Sequence, residues 1–179
     1  MKALAREAEL PQGSLHYYFT DKRAIVEAAI DTVMRRLHQR VAARTEDIRN
    51  PRRRLRAMIE ACLSTADEQR EFWAVFVQFW GAMLHDAGLR RTNARLYASL
   101  RQLIGRIVRA GMTRSQFRPL VPEQAGAIIL ALVDGLSLQR NFDPQALSHR
   151  DAVRLCESAI FRFLAPSRGG RRPGRRRIL

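Results

Sequence analysis

The 179 residues are 46% hydrophobic and carry a formal net charge of +15. That is enough chain for one sizeable core, or for a small domain beside a larger one. No apolar run is long enough to span a bilayer, and Met1-Lys2 leads into a mixed segment rather than a signal peptide, which points to the cytoplasm.

The charge is not spread evenly. Arg168, Arg171, Arg172, Arg175, Arg176 and Arg177 lie after Ser167 with no acid among them. Basic charge alone suits DNA, RNA or an anionic membrane, so motifs must decide the partner. Cys62 and Cys156 both fall in apolar helical stripes and have no metal spacing. They read as buried free thiols rather than a disulfide.

Leu4, Ala5 and Ala8 form one apolar face of a helix over about residues 2–9. A turn over residues 8–11 leads into a short second helix, which Thr20-Asp21 breaks before Lys22. Leu15 and Phe19 sit four apart and give that helix its inward stripe. Gln12, Ser14, His16, Tyr17 and Tyr18 point elsewhere. They hydrogen-bond and carry little net charge, which suits base edges and phosphate oxygens. Helix, tight turn, short helix is the helix-turn-helix outline, whose second helix enters the major groove.

From Lys22 to about Arg49 the pattern is helical. Ile25, Ala29, Val33, Leu37 and Val41 recur every four residues, and Asn50-Pro51 ends the run. Arg52 to Ala66 reads as a helix with one buried face through Leu55, Met58, Ile59, Cys62 and Leu63. Glu71 to Asp86 differs, because Phe72, Trp73, Phe76, Val77, Phe79, Trp80, Met83 and Leu84 surround the helix. It is either the central core helix or the wall of an apolar ligand cavity. His85-Asp86 reads as a solvated helix end rather than a metal site.

Leu89 to about Thr113 is one long helix, with Gly105 and Gly111 as soft points and Tyr97 able to lend a hydroxyl to a cavity. After a connection over residues 117–122, Glu123 to Gln139 is strongly apolar. Ser148 is placed to cap a last helix running through Val153, Cys156, Ile160 and Phe163 to about Leu164. The glycine- and arginine-rich tail after Pro166 cannot build a core and reads as disordered.

Leu4-Ala5, Ala8, Gly13-Ser14-Leu15, Tyr18-Phe19 and Lys22 together resemble the signature of the TetR family of bacterial repressors. Glu9, Pro11 and His16 depart from its usual turn glycine, Ser or Thr cap and tyrosine. The resemblance implies an all-α fold in three parts. These are a helix-turn-helix domain with its linking helix over residues 1–45, an effector-binding and dimerisation domain over 46–165, and the basic tail. It implies that Gln12, Gly13, Ser14, His16 and Tyr17 face the bases and backbone. Tyr18 and Lys22 would contact phosphates, Lys22 together with the amides that open the next helix.

The stretch from Phe72-Trp73 through Leu89-Arg90-Arg91 is similar to the regulatory half of BetI-type members, which respond to choline. This implies a quaternary-ammonium or small hydrophobic effector held by Phe72, Trp73, Phe76, Phe79, Trp80, Met83 and Tyr97. The family's use of its last two helices implies a homodimer through Ile128, Leu132, Leu136, Cys156, Ile160 and Phe163. The alternative is that those helices cap their own core.

No catalytic constellation, zinc motif or phosphate-cradling loop is visible, and no cofactor or membrane contact is expected. The leading reading is a ligand-responsive repressor of a palindromic operator in double-stranded DNA. A helical small-molecule-binding module that no longer reads DNA is the second, and a nonspecific binder working through its tail is the third. In the TetR pattern a further helix precedes the motif, whereas this sequence opens inside the second helix. The chain therefore reads as a fragment or as a start assigned too late. On this reading residues 1–179 alone bind DNA weakly, and adding an upstream helix raises operator affinity in a gel-shift titration. Equal affinity with and without it refutes the expectation.

Overall fold

The computed structural model describes residues 17–63, 76–77, 79–83 and 85–166, with the side chain of Lys22 left out. Every regular element among them is a helix, as the sequence implies: α1 (Lys22–Thr45), α2 (Pro51–Cys62), α3 (Ala87–Thr113), α4 (Pro122–Phe142) and α5 (His149–Leu164). Residues 76–77 and 79–83 are also helical. None of these helices is long and apolar enough to cross a membrane.

The starts of the helices are written locally. Asp21 caps α1 by accepting from Ala24 N at 2.8 Å. Asn50 caps α2 by accepting from Arg53 N at 3.1 Å, and Pro51 fills the first helical position, where a missing N–H costs nothing. Asp86 accepts from Gly88 N and Leu89 N at 2.7 and 3.0 Å and so starts α3. That is what the His85-Asp86 pair does, and no cluster of metal-ligating side chains occurs among the described residues. Ser148 caps α5 as expected, accepting from Asp151 N at 3.1 Å while its hydroxyl donates to the Asp151 carboxylate at 2.7 Å.

The linking helix α1 stops at Thr45, four residues short of the expected end, and residues 46–49 form the turn into α2. Its buried positions are Ile30, Met34, Val41 and Thr45. Ile25, Ala29 and Val33 are only half-buried, so the stripe rotates by one position along the helix's first half. A strict four-residue repeat drifts around a helix of 3.6 residues per turn, which is why the two descriptions separate.

The main core gathers α2, α3, α4, α5 and the end of α1 around Leu55, Ile59, Ile104, Val108, Ile129 and Ile160. A second cluster joins Ile30 and Met34 of α1 to Phe76, Phe79 and Leu89. Leu37, Tyr97 and Leu100 pack against both. At this junction α1, the helix that leads back to residues 1–21, meets the rest of the bundle.

Close backbone approach holds the bundle. A Cβ at Gly126 of α4 would lie 2.8 Å from the Arg101 carbonyl oxygen of α3. One at Gly111 would lie 2.0 Å from the Phe117 ring, which folds back over the end of α3. Gly111 is therefore a packing point rather than a soft point. Ser115 takes the left-handed conformation, with φ 54°, to turn the chain there.

Candidate functional site

The cavity is built where the two clusters meet. Met34 and Leu37 of α1, Phe76, then Leu96, Tyr97 and Leu100 of α3, and Asp134 of α4 enclose about 40 Å³. Phe76 and Phe79 are buried, while Trp80 and Met83 are half-buried. The Phe76 ring packs against Phe79 with centroids 6.2 Å apart and against Trp80 at 5.1 Å, both tilted. Of the expected effector-binding residues, Phe76 and Tyr97 line the cavity directly. Phe79, Trp80 and Met83 pack around them in the second cluster. Phe72 and Trp73 lie outside the described residues.

Asp134 is the polar centre of this site. The Tyr97 hydroxyl donates to its Oδ2 at 2.7 Å. Burial pushes the Asp134 carboxyl above the usual carboxylate range, and the Tyr97 hydrogen bond pulls only partly the other way. Burial also raises the Tyr97 phenol, and the neighbouring Asp134 charge adds to the effect. Among the described residues Asp134 forms no ion pair. An acid held in an apolar cavity by one neutral donor is short of counter-charge.

Asp134 was missed in the sequence as a site residue, although a signal for it exists. It is the lone acid between Glu123 and Asp143 in an otherwise apolar helix. A charge in such a setting marks either a solvated edge or a deliberate polar contact. Met34, Leu37, Leu96 and Leu100 carry no signal of their own, because any core leucine looks the same.

Neither thiol is in a disulfide, as read from sequence; Cys156 is buried and Cys62 half-buried. Burial pushes Cys62 up to about 12, with the Asp134 charge and Cys156 adding to this and Arg40 opposing it. Burial, then Glu157, pushes Cys156 to about 12 as well. Both stay protonated and inert at neutral pH.

At the other end, Tyr17 and Tyr18 are 83% and 74% exposed and meet edge-on with centroids 5.0 Å apart. Phe19 beside them is half-buried. Two large exposed rings immediately ahead of α1 leave their hydroxyls available to a polar partner. Gln12, Gly13, Ser14 and His16 lie outside the described residues, as does the side chain of Lys22.

The dimer residues divide. Ile128 is 43% exposed on α4. Leu132, Leu136 and Phe163 are half-buried and pack onto the chain's own core. Cys156 and Ile160 are fully buried inside it, which corrects their assignment to an interface, since they have no surface to offer a second copy. The outward apolar positions are instead Val121 at the N-cap of α4, Ile128 and Phe142 on α4, and Leu155 on α5. Val121, Ile128, Gly135 and Phe142 repeat every seven residues, and a Cβ at Gly135 would meet nothing. That is the spacing of a helix seam.

Comparison with known proteins now decides the family. Residues 51–165 match the C-terminal domain of BetI-type transcriptional repressors, and residues 1–29 match the N-terminal domain of the tetR family of bacterial regulatory proteins. The chain belongs to the TetR family, with a BetI-type regulatory domain. Similar curated relatives are described as HTH-type transcriptional regulators BetI. The one from Burkholderia lata is 29% identical over 174 residues, covering 92% of this chain and 83% of its own. The one from Proteus mirabilis is 26% identical, covering 88% and 77%. Among solved structures, a protein from Saccharomonospora viridis in complex with choline superposes with a TM-score of 0.79 at 24% identity, covering 87% of this chain and 81% of that one. A protein from Pseudomonas aeruginosa PAO1 gives 0.78 at 25%, covering 89% and 81%. As a TetR-family regulator the chain carries a helix-turn-helix DNA-binding domain, and its relatives are regulators rather than enzymes.

The Asp134 carboxyl generates a prediction with a definite sign. An acid whose folded pKa is raised binds its proton more tightly in the folded state. It costs nothing below the ordinary aspartate range. The cost grows as pH rises through the interval up to the folded value, then stays constant. Asp134→Asn, which can still accept from Tyr97, should therefore melt a few degrees higher than the wild type at neutral pH. The gain should shrink as the buffer is taken down into the aspartate range. A thermal-melt series in which the gap stays the same at every pH would contradict this.

Proposed function

We propose that this chain is a homodimeric repressor that leaves its operator when a quaternary-ammonium effector enters the cavity at Asp134. The observation that carries the reading is a carboxyl with no cationic partner among the described residues, in a cavity faced by Tyr97 and Phe76, with Trp80 packed behind. A trialkylammonium group supplies what the site lacks: a diffuse, weakly hydrated positive charge for Asp134 and apolar methyls for the rings. The choline bound by the structural relative from Saccharomonospora viridis supports the same class. A neutral hydrophobic effector would leave the Asp134 charge unanswered.

The response is mechanical. The 40 Å³ cavity bounded by described residues is little more than the roughly 30 Å³ share of one water molecule. An effector of choline's size must push its walls apart. Two of those walls, Met34 and Leu37, belong to α1, which begins at Lys22, shortly after the exposed Tyr17 and Tyr18, and leads into the bundle. Displacing α1 moves the DNA-reading end relative to its copy across the dimer axis. Two heads set for successive major grooves then lose their spacing, which shifts the protein away from its DNA-bound form. Gln12, Gly13, Ser14, His16 and Tyr17 are the proposed groove-facing residues, with Tyr18 and Lys22 on phosphates.

A second copy would cover the seam of Val121, Ile128, Gly135 and Phe142, flanked by Leu155. The open space at Gly135 lets a partner helix approach closely.

Calorimetric titration tests the effector. Choline should bind the wild type and lose roughly tenfold or more in affinity to Asp134→Asn. The neutral isostere 3,3-dimethylbutan-1-ol should bind both proteins weakly and alike. If the alcohol matches choline on the wild type, the cation reading fails and a hydrophobic effector takes its place. For the interface, the Ile128→Arg, Phe142→Glu double variant should sediment as a monomer, whereas Cys156→Ser should stay dimeric. A dimer that survives the double change removes the seam from the account.

A further inference from the structure

A second recess lies away from the effector cavity and shares no lining residue with it. It sits where the turn after α1 meets α2 and the C-terminal half of α3. Arg49 from the turn, Arg54 from α2 and Arg106 from α3 line it, over a floor of Pro51, Leu103, Ile107 and Ala110. Among the described residues, no acid lines it. None of the three arginines takes part in an ion pair among the described residues.

Arg54 adds an independent sign of a missing partner. Its Nε is buried and makes no hydrogen bond. A buried donor of a charged group left unmatched is costly, and native structures rarely tolerate it without a ligand or water. The Nε edge of a guanidinium is also the edge that forks onto two oxygens of an oxyanion.

The walls are held in place. Arg114 Nη1 donates to the Arg49 carbonyl at 2.7 Å, and Arg52 N donates to Gln116 Oε1 at 3.2 Å. Both bonds tie the turn and the start of α2 to the segment that follows α3. The volume is about 160 Å³, room for about five waters at roughly 30 Å³ each. Three guanidiniums crowded without counter-charge repel one another, and a monoanion answers only part of that. A dianion of a few heavy atoms answers more, and the apolar floor leaves space for a short carbon chain.

We propose that this recess is a second ligand site, for a phosphate dianion, either free or as a small monoester. Its ligand would clamp the end of the linking helix to α3, so that the site would report a phosphorylated metabolite independently of Asp134.

The test uses the full chain in a phosphate-free buffer, with chloride holding ionic strength constant. Inorganic phosphate and glycerol 3-phosphate are the probes, read by calorimetry and by thermal shift. One saturable site per chain is expected. Tighter binding of the ester assigns the monoester, and equal or tighter binding of inorganic phosphate assigns the free anion; each supports the site. Arg106→Gln, at an exposed side chain, should weaken binding roughly tenfold or more. Arg54→Lys, which keeps the charge and loses the fork, should weaken it too. Arg53→Gln, exposed and outside the recess, should bind as the wild type does. Binding that fails to saturate, or that falls equally in Arg53→Gln and Arg106→Gln, overturns the site. Thermal shifts from phosphate that persist undiminished in Arg106→Gln do the same. Loss of choline binding in any outcome would concern the other cavity alone.

Discussion

The middle of helix α4 has no polar face, and much of the molecule follows from that. Its middle run, from Ala125 to Val133, contains no polar side chain on any side. One side, with Ala125, Ile129, Leu130 and Val133, is absorbed by the chain's own core. A second side meets the cavity, where Asp134 breaks the apolar run. A third side, through Ile128 and Phe142 with Val121 at the cap, is left exposed by the single chain. A helix that is apolar on every side is stable only when every side is covered. A bundle of this size covers two of them and leaves the third exposed in the single chain, where the proposed second copy would lie. Gly126 fixes the geometry, because α3 approaches so closely that no larger residue fits there.

The proposed regulatory logic rests on where the cavity lies rather than on what it contains. It is not central to the main core. It lies on the border between that core and the smaller cluster, and α1 supplies Met34 and Leu37 to its wall. A ligand bound within the core would stiffen the bundle and leave α1 alone. A ligand at the border must work against α1. Asp134 sharpens this. Its ionised form is a standing cost in the empty site, and a cationic effector would convert that cost into affinity, so stability and response trade against each other at one carboxyl.

The basic character of the chain also divides by place. The arginines on helix faces are solvated or engaged locally, as Arg35 is with Asp31 and Arg109 is with Glu123 at 3.2 Å. Others serve packing. Arg52 lies 4.4 Å above the Phe161 ring, and Arg56 joins Glu157 at 3.1 Å to hold α2 against α5. Arg49, Arg54 and Arg106 do neither, which is what makes their recess distinctive. Net charge could not have separated these cases, because it counts residues without regard to their neighbours.

The sequence by itself determined the helices, most of their starts and the family. Those signals are local: the caps at Ser148 and Asn50, the prolines, and apolar residues three and four apart. The spacing of Leu15, Tyr18-Phe19 and Lys22 is local too, and it carried the resemblance that the family comparison supports. Facing was left to the tertiary structure. The stripe Cys156, Ile160 and Phe163 is as apolar as the true outward positions, and periodicity says only that such residues share a side. Whether that side meets the chain's own core or a second copy depends on where α2 and α4 pack. The pairing of Tyr97 with Asp134, 37 positions apart, and the meeting of Arg49, Arg54 and Arg106 are likewise products of packing. No spacing rule brings together residues whose only relation is that folding made them neighbours.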